Sequence, residues 1–305
     1  MCMPGTALSR YINIYTDFAF KKIFGTEANK DLLISFLNQL MGLTGDSEIT
    51  DVTYLNPEQL GDNINERRAV YDVYCSTGNG EHFIVEMQKA KQDHFKDRAL
   101  YYSSFAIREQ GTKGSILKPW DYKLMPVYVV GILNFVMDED DEEVITRVTL
   151  KDDRNREFNK NLQFIFIEMP KFTKEETELK TFLDKWLYVI KNISRLDDKP
   201  QALTEGIFKK LFDVAEISQF SKLDRAEYEE SLKVFWDFSN VLSTAERKGR
   251  AEGRAEGRAE GRAEGRAEGE RDEKLRNAKN LKALGVDVET ISKATGLTKE
   301  EIENL

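Results

Sequence analysis

Two apolar segments joined by a glycine-containing turn constrain the fold more than any other feature of the chain. Residues 67–76 read RRAVYDVYCS, and residues 82–90 read HFIVEMQKA. Both contain the aromatic and β-branched residues that strands favour, and the TGNGE between them is typical of a hairpin loop. The sequence therefore predicts an antiparallel β-hairpin.

The second strand of this hairpin carries polar residues on one face. Side chains alternate between the faces of a strand, so Phe83, Val85 and Met87 point one way. Glu86 and Gln88 point the other way. A buried carboxylate is costly unless it is paired or holds a metal ion, so Glu86 needs a partner.

The length of the hairpin loop decides whether Asp72 is that partner. A two-residue loop at 79–80 places Asp72 opposite Met87, with the two carboxylates on different faces. A three-residue loop at 78–80 sets Asp72 opposite Glu86, with their Cβ atoms about 5 Å apart. The glycines permit either loop. In the second register, a divalent cation such as Mg²⁺ would relieve the repulsion between the two carboxylates.

The rest of the chain predicts an α/β fold. Residues 125–135 are apolar on both faces and indicate a central strand. The order near the hairpin is helix, three strands, helix, strand. The predicted elements are helices at 18–25 and 29–41, strands at 49–55, 67–76 and 82–90, a helix capped by Asp93 and ended by Gly111, strands at 125–135, 144–150 and 162–168, and helices from about 173 to 245.

Composition favours a soluble protein, and we expect a cytoplasmic one. The chain has 305 residues, 40% of them hydrophobic, which is enough for a sizeable core. No segment approaches the roughly 18 to 20 apolar residues of a membrane span, and the N-terminus lacks the apolar core of a signal peptide. Cys2 and Cys75 do not form a disulfide framework, and we expect Cys75 to be packed in the core.

Positive charge is concentrated near the hairpin, although the net charge of the whole chain is −9. A local basic surface of this kind would favour contact with phosphate. Its residues are Lys89, Lys91, Lys96, Arg98, Arg108, Lys113, Lys118 and Lys123.

Five tandem copies of RAEG occupy residues 250–269. At helical spacing, like charges stand four residues apart and Arg and Glu lie on opposite sides, so the repeat gains no helical salt bridges. Each glycine costs a helix roughly 1 kcal/mol relative to alanine. A solvated, marginal helix or flexible spacer is the favoured interpretation. Alternatively, the Gly and Ala stripes let two such helices pair between chains.

The C-terminal tail, residues 271–305, is predicted to form short helices separated by Gly285 and Gly296. Thr298 and Glu301 form a capping box. The pattern looks superficially like a helix-turn-helix, but the second helix is acidic and phosphates would repel it. A small packing or oligomerising unit is therefore favoured over a DNA reader.

Asp72, the hairpin and Glu86-x-Gln88, within this order of elements, resemble the PD-(D/E)XK nuclease superfamily. More narrowly, DFAFKKIFG, NKDLLISFLN, ERRAVYDVYC, FIVEMQKA and RALYYSS are similar to the recombination-promoting nuclease (Rpn) family, whose members are also described as transposases. The similarity covers about residues 15–240. It implies a restriction-endonuclease-like core at 1–170, followed by a helical region at 171–246, the repeat at 247–270 and a helical tail at 271–305.

The resemblance implies metal-dependent hydrolysis of DNA, in a recombination, mobile-element or defence setting. Asp72 and Glu86, helped by the backbone carbonyl of Met87, would hold Mg²⁺, with Mn²⁺ as the alternative ion. Gln88 stands where the superfamily motif usually has lysine. Glutamine can orient a water molecule, but it carries no positive charge. Lys89 is not a simple substitute, because it points to the other face of the strand.

Supporting residues are less strongly indicated. In the resemblance, the N-terminal helix contributes an acid, and Asp17 is the candidate, although it could equally be a helix N-cap. Lys21, Arg98 and Tyr101 are candidates for phosphate contact, and Arg98 and Tyr101 share one helix face. Ordinary surface or packing roles are the alternative for these three residues.

Two further alternatives stay open at the level of sequence. Asp72 and Glu86 could face solvent, balanced by Arg67, Arg68 or Lys96. Since Gln88 replaces lysine, the protein could also keep the nuclease fold without useful catalysis and serve to bind DNA or partner chains. We expect DNA as a partner, and homo-oligomers through the C-terminal helices are an open hypothesis.

Overall fold

The computed structural model describes residues 9–59, 69–111 and 123–305, and there the elements follow the predicted order. The strands are Val52–Tyr54 (β1), Glu58–Gln59 (β2), Ala69–Val70 (β3), Val73–Thr77 (β4), His82–Gln88 (β5), Val127–Leu133 (β6), Ile145–Lys151 (β7) and Glu157–Glu168 (β8). The helices are Asp17–Phe24 (α1), Lys30–Met41 (α2), Phe95–Gln110 (α3), Phe182–Asn192 (α4), Gly206–Ala215 (α5), Lys222–Ala283 (α6), Val288–Thr295 (α7) and Lys299–Glu303 (α8).

A six-stranded sheet organises the first part of the chain, with strand order β1-β4-β5-β6-β8-β7. β6 pairs in parallel with both β5 and β8, whereas the other pairs are antiparallel. Its apolar residues are buried on both faces, as expected for a central parallel strand. The predicted α/β fold and the central position of this strand are confirmed.

Helices cover both faces of the sheet. On one face, Phe83, Val85 and Met87 of β5 pack in a core shared with α1, α2, α4 and α5, as predicted, and Cys75 is buried there too. On the other face, Ile84 packs in a second core with α3. Because side chains alternate along β5, Glu86 and Gln88 lie on the α3 side.

The predicted strand at 67–76 is divided in two within the described residues, and 67–68 lie outside them. β3 pairs with β2, whereas β4 pairs with β5 in the main sheet. The division occurs at Tyr71 and Asp72, where the Tyr71 N–H donates to the Pro57 carbonyl at 2.9 Å. Asp72 is therefore released from regular strand pairing.

Two predicted helix caps are wrong. Thr16 caps α1 by accepting a hydrogen bond from the Ala19 N–H, so Asp17 is the first helical residue and not the cap. α3 begins after His94, whose φ of 61° turns the chain into the helix without a side-chain cap. Asp93 precedes that turn and does not cap the helix.

The chain divides into two compact units, one ending at Phe235 and the other running from Trp236 to Leu305. α6 continues without interruption through the RAEG repeat, which is helical and exposed. The predicted boundaries at 246 and 270 therefore fall inside one helix. Pairing of repeats between chains stays a prediction.

In the C-terminal tail, α7 and α8 match two of the predicted short helices, whereas the helical segment before Gly285 is the end of α6. Gly285 and Gly296 adopt positive φ of 80° and 73° and separate the last three helical pieces. Ala278, Ile291 and Ile302 form a small buried core there. None of the helices in the described ranges combines the length and apolarity that crossing a membrane requires.

Candidate active site

The β4–β5 hairpin adopts the three-residue loop. The Thr77 N–H donates to the Glu81 carbonyl at 2.9 Å, and Val73 pairs with Val85. Gly80 has a φ of 86°, which glycine adopts without strain. Continuing this register by one residue sets Asp72 opposite Glu86, so the shorter loop is excluded.

Asp72 and Glu86 bond reciprocally to each other's backbone. The Asp72 N–H donates to Glu86 Oε1 at 3.3 Å. The Met87 N–H, next to Glu86 in the chain, donates to Asp72 Oδ2 at 2.7 Å. The two carboxylates therefore converge at the point where β4 leaves the sheet.

The Met87 carbonyl faces the Asp72 side of β5, where the two carboxylates converge. At both ends of β5, the even-numbered residues His82 and Gln88 hydrogen-bond toward β6. Backbone groups of a strand alternate in direction, so those of Met87 face the β4 side. Its N–H is bonded to Asp72 there, and its carbonyl points to the same side.

Burial and mutual repulsion disfavour negative charge on Glu86. Glu86 is only 9% exposed. Burial, and then the charge of Asp72, raise the pKa of Glu86 to about 8, against the opposing effects of Arg98 and of hydrogen bonds to its carboxylate. The alternative in which Glu86 faces solvent is wrong, and its proposed partners Arg67 and Arg68 lie outside the described residues.

The surroundings of Asp72 are more open. Burial also raises the pKa of Asp72, and the nearby charge of Asp17 adds to that rise. The Met87 N–H and the positive charges of Lys21 and Lys89 oppose it. Asp72 thus shares its electrostatic surroundings with groups from α1 and from the end of β5.

Arg98, Gln88 and Glu86 are connected in that order by hydrogen bonds. Gln88 Nε2 donates to Glu86 Oε2 at 3.1 Å, and the Arg98 guanidinium donates to Gln88 Oε1. Arg98 also donates to Gln92 Oε1 at 2.7 Å and stacks over the Tyr102 ring. Both polar ends of Gln88 are therefore engaged within the protein.

The cavity beside these three hydrogen-bonded residues has room for little more than a water molecule. Its volume is about 10 Å³, and its lining includes Glu86, Gln88 and Arg98 together with apolar residues of α3 and the sheet. Gln88 is 8% exposed. The α3 side of the site is consequently closed to a large substrate.

A wide groove opens on the opposite side and has a volume of about 830 Å³. Asp72 lines it together with Asp17, Lys21 and Lys22 of α1 and with Lys89, which follows β5. These residues give that part of the groove a predominantly positive wall.

The beginning of α6 supplies another wall of this groove. Asp224, Glu227 and Glu230 line it. The Phe18 N–H donates to Ser231 Oγ at 3.2 Å, which ties α6 to α1. The groove thus has basic and acidic walls, a feature that the sequence did not reveal.

Asp17 reaches the groove but does not join the two carboxylates. Asp17 Oδ2 lies 3.1 Å from Lys21 Nζ, one helical turn away. Within the described ranges, no group of three or more His, Cys, Asp or Glu residues is arranged to hold a metal ion. Asp17 as a third acid therefore stays a prediction.

Tyr101 lies apart from this network. Its ring contacts Tyr102 and Phe105 of the same helix, and 41% of the residue is exposed. Phosphate contact by Tyr101 stays a prediction.

The basic stretch predicted from the sequence is only partly described by the structure. Lys113 and Lys118 lie outside the described residues.

The donors of the site fit a hard divalent cation. Asp72 and Glu86 offer carboxylate oxygens and Met87 a carbonyl oxygen. Within residues 9–59, 69–111 and 123–305, neither carboxylate forms an ion pair with a cationic side chain. Mg²⁺ is commonly held by one or two carboxylates, with water and phosphate completing its coordination. A cation at this place would oppose the effects of burial and of the Asp72 charge, which together raise the pKa of Glu86.

Comparisons with known proteins agree with the geometry. The model of a family described as PD-(D/E)XK nuclease family transposase matches residues 14–245, which is more than half of the chain. The matched range includes every predicted site residue, from Asp17 to Tyr101. No significant match was found among curated proteins or among solved structures.

Proposed function

This chain belongs to the PD-(D/E)XK nuclease family transposases, and from that premise we propose that it is a metal-dependent endonuclease that hydrolyses DNA. The observation that carries the proposal is the pair of converging carboxylates, Asp72 and Glu86, held by each other's backbone. Such a pair has no structural advantage over apolar side chains, because burying two acids together is unfavourable without a cation.

Each residue of the site has a role in this proposal. Asp72, Glu86 and the Met87 carbonyl hold Mg²⁺, or Mn²⁺ as the alternative. When bound, the ion lowers the pKa of a coordinated water and offsets negative charge on the phosphate. Gln88 fixes the Glu86 carboxylate by its hydrogen bond, and Arg98 in turn fixes Gln88 by donating a hydrogen bond to it. This role replaces the direct positioning of a water molecule that the sequence suggested for Gln88.

Hydrolysis joins an oxygen of water to phosphorus and breaks the bond from phosphorus to the leaving deoxyribose oxygen. One proton of the water ends on the leaving oxygen, and the other goes to solvent. The groove lysines, among them Lys21, orient the DNA by its phosphates. A recombination, mobile-element or defence setting in the cytoplasm, and oligomers formed through the C-terminal helices, are part of the same proposal.

The decisive experiment compares supercoiled DNA treated with the full-length protein, with Asp72→Asn and with Asp153→Asn. Asp153 is an exposed residue in the turn between β7 and β8, so it serves as a matched control. We expect Mg²⁺-dependent nicking that falls about 1,000-fold in Asp72→Asn and is unchanged in Asp153→Asn.

Two other outcomes have clear meanings. Equal nicking by wild type and Asp72→Asn would show that the activity is not that of this site. DNA binding without metal-dependent nicking would identify the protein as a nuclease-fold binding protein that lacks useful catalysis.

A further inference from the structure

The proposed nuclease lacks a positive side chain at the usual position of its motif. Gln88 occupies that position, and its amide is bonded to Glu86 and Arg98 inside the protein. A phosphodiester under attack accumulates negative charge, and fixed positive groups near it are among the largest contributions to catalysis. Some other cation of the chain should therefore face the phosphate.

Among the residues that the structure describes, three lysines line the groove that Asp72 borders. Lys21 pairs with Asp17 at 3.1 Å. Lys22 pairs with Asp224 at 3.3 Å, and its ammonium also lies over the rings of Phe18 and Phe220. Both lysines thus already have protein counter-charges or aromatic partners.

Lys89 differs from the other two. Across residues 9–59, 69–111 and 123–305, it forms no ion pair with an acidic side chain. It is half-buried, lines the same groove as Asp72, and is close enough for its charge to favour the ionised form of Asp72. A partly desolvated ammonium without a counter-ion is well suited to bind an anion.

The end of β5 explains why Lys89 reaches this place. Regular pairing stops at Gln88, and residues 89 and 90 continue beyond the strand. By alternation Gln88 faces α3, and the next residue faces the side of α1, where the groove opens. Position 89 therefore gains access to the groove because position 88 is turned away from it.

We propose that Lys89, and not Gln88, contacts the phosphate held in the groove and supplies the positive charge for its hydrolysis. The proposal rests on the proposed function, since it assigns a catalytic residue to that reaction. It corrects the expectation from the sequence that the direction of Lys89 excludes it. The direction excludes it from the α3 side only, and the substrate groove lies on the other side.

The test uses Lys89→Ala, Lys89→Arg and the matched control Lys91→Ala. Lys91 belongs to the basic stretch predicted from the sequence, but the structure places it away from the groove that Asp72 lines: it is exposed and lines a different cavity, with His94 and Phe135. We expect single-turnover cleavage to fall about 100-fold or more in Lys89→Ala, to recover to within about 10-fold of wild type in Lys89→Arg, and to change less than about 2-fold in Lys91→Ala. Melting temperatures should be unchanged, since Lys89 makes no ion pair with any acid in the described part of the chain.

DNA binding in EDTA gives a readout that does not require cleavage. A labelled duplex should bind Lys89→Ala more weakly, with the slope of log K against log salt reduced by about 1, whereas Lys91→Ala keeps the wild-type slope. The proposal is overturned if Lys89→Ala and Lys91→Ala show the same slope of log K against log salt. It is also overturned if wild type cleaves DNA and the two variants have the same cleavage rate. If wild type does not cleave, the proposed function fails, and the binding slope still decides whether Lys89 contacts phosphate.

Discussion

Asp72 and Glu86 are partners across one hairpin, yet they face opposite surroundings. Asp72 borders a wide groove with Lys21 and Lys89. Glu86 is buried toward α3 in a cavity of about 10 Å³, where Gln88 connects it to Arg98. Under the proposed function, this difference assigns separate roles to the two sides: the groove side receives the substrate, and the α3 side fixes the geometry of the metal ligands.

Glu86→Gln should have the largest effect, because it removes charge from the closed side of the pair. The amide keeps the shape of the side chain but is a poor ligand for Mg²⁺, so we expect cleavage to fall about 1,000-fold or more. Without metal, the variant should be more stable than wild type at pH 8, since no buried carboxylate has to ionise. Thermal unfolding in EDTA measures this, and a lower melting temperature for Glu86→Gln would contradict it.

The same residue sets the expected pH dependence. The pKa of Glu86 rises from 4.5 to about 8 on folding, so the folded protein holds a proton that the unfolded chain releases. The contribution of Glu86 to the free energy of unfolding, in the absence of metal, should therefore be largest below pH 4.5 and decline as the pH rises to about 8. Mg²⁺ binding needs the ionised form, so cleavage should increase up to about 50-fold between pH 6 and pH 8. In Glu86→Gln, this contribution to the pH slope of stability should disappear.

Arg98→Ala tests whether the α3 side acts through Glu86 or touches DNA. If Arg98 positions Gln88, cleavage should fall about 10-fold and the Mg²⁺ concentration for half-maximal rate should rise, as for other residues that orient metal ligands. DNA affinity in EDTA should stay that of wild type. Lys96→Ala, an exposed change on the same helix, is the control. A reduced salt slope for Arg98→Ala would instead support the phosphate contact suggested by the sequence.

Local sequence signals reduced the pairing of the two acids to two registers, and the structure shows which of the two is formed. The glycines at 78 and 80 fit the loop, and counting from that loop gives the register of Asp72 and Glu86. The alternation of β5 likewise predicted which side chains are buried against α1 and α2. These features depend on contacts between residues that are close in the chain.

The unlike surroundings of the two acids depend on distant contacts and could not be read from the sequence. The break at Tyr71 requires the Pro57 carbonyl, and the closed side requires α3 to place Arg98 against Gln88. The acidic wall requires α6, more than 130 residues away, to pack against α1. No spacing within the motif encodes these placements.

The smallest effect is expected at the acidic wall, where charge opposes the substrate without touching the ligands. Glu227 and Glu230 line the groove opposite the lysines, whereas Glu229 projects to the other side of α6. Glu227→Gln or Glu230→Gln should each raise DNA affinity about 2-fold at low salt and less at high salt, because exposed charges are screened. Titration of labelled DNA measures this, with Glu229→Gln as the matched control. All three changes remove one negative charge. An equal gain in DNA affinity for Glu229→Gln would therefore attribute the effect to net charge, and it would contradict the proposal that DNA binds in the groove.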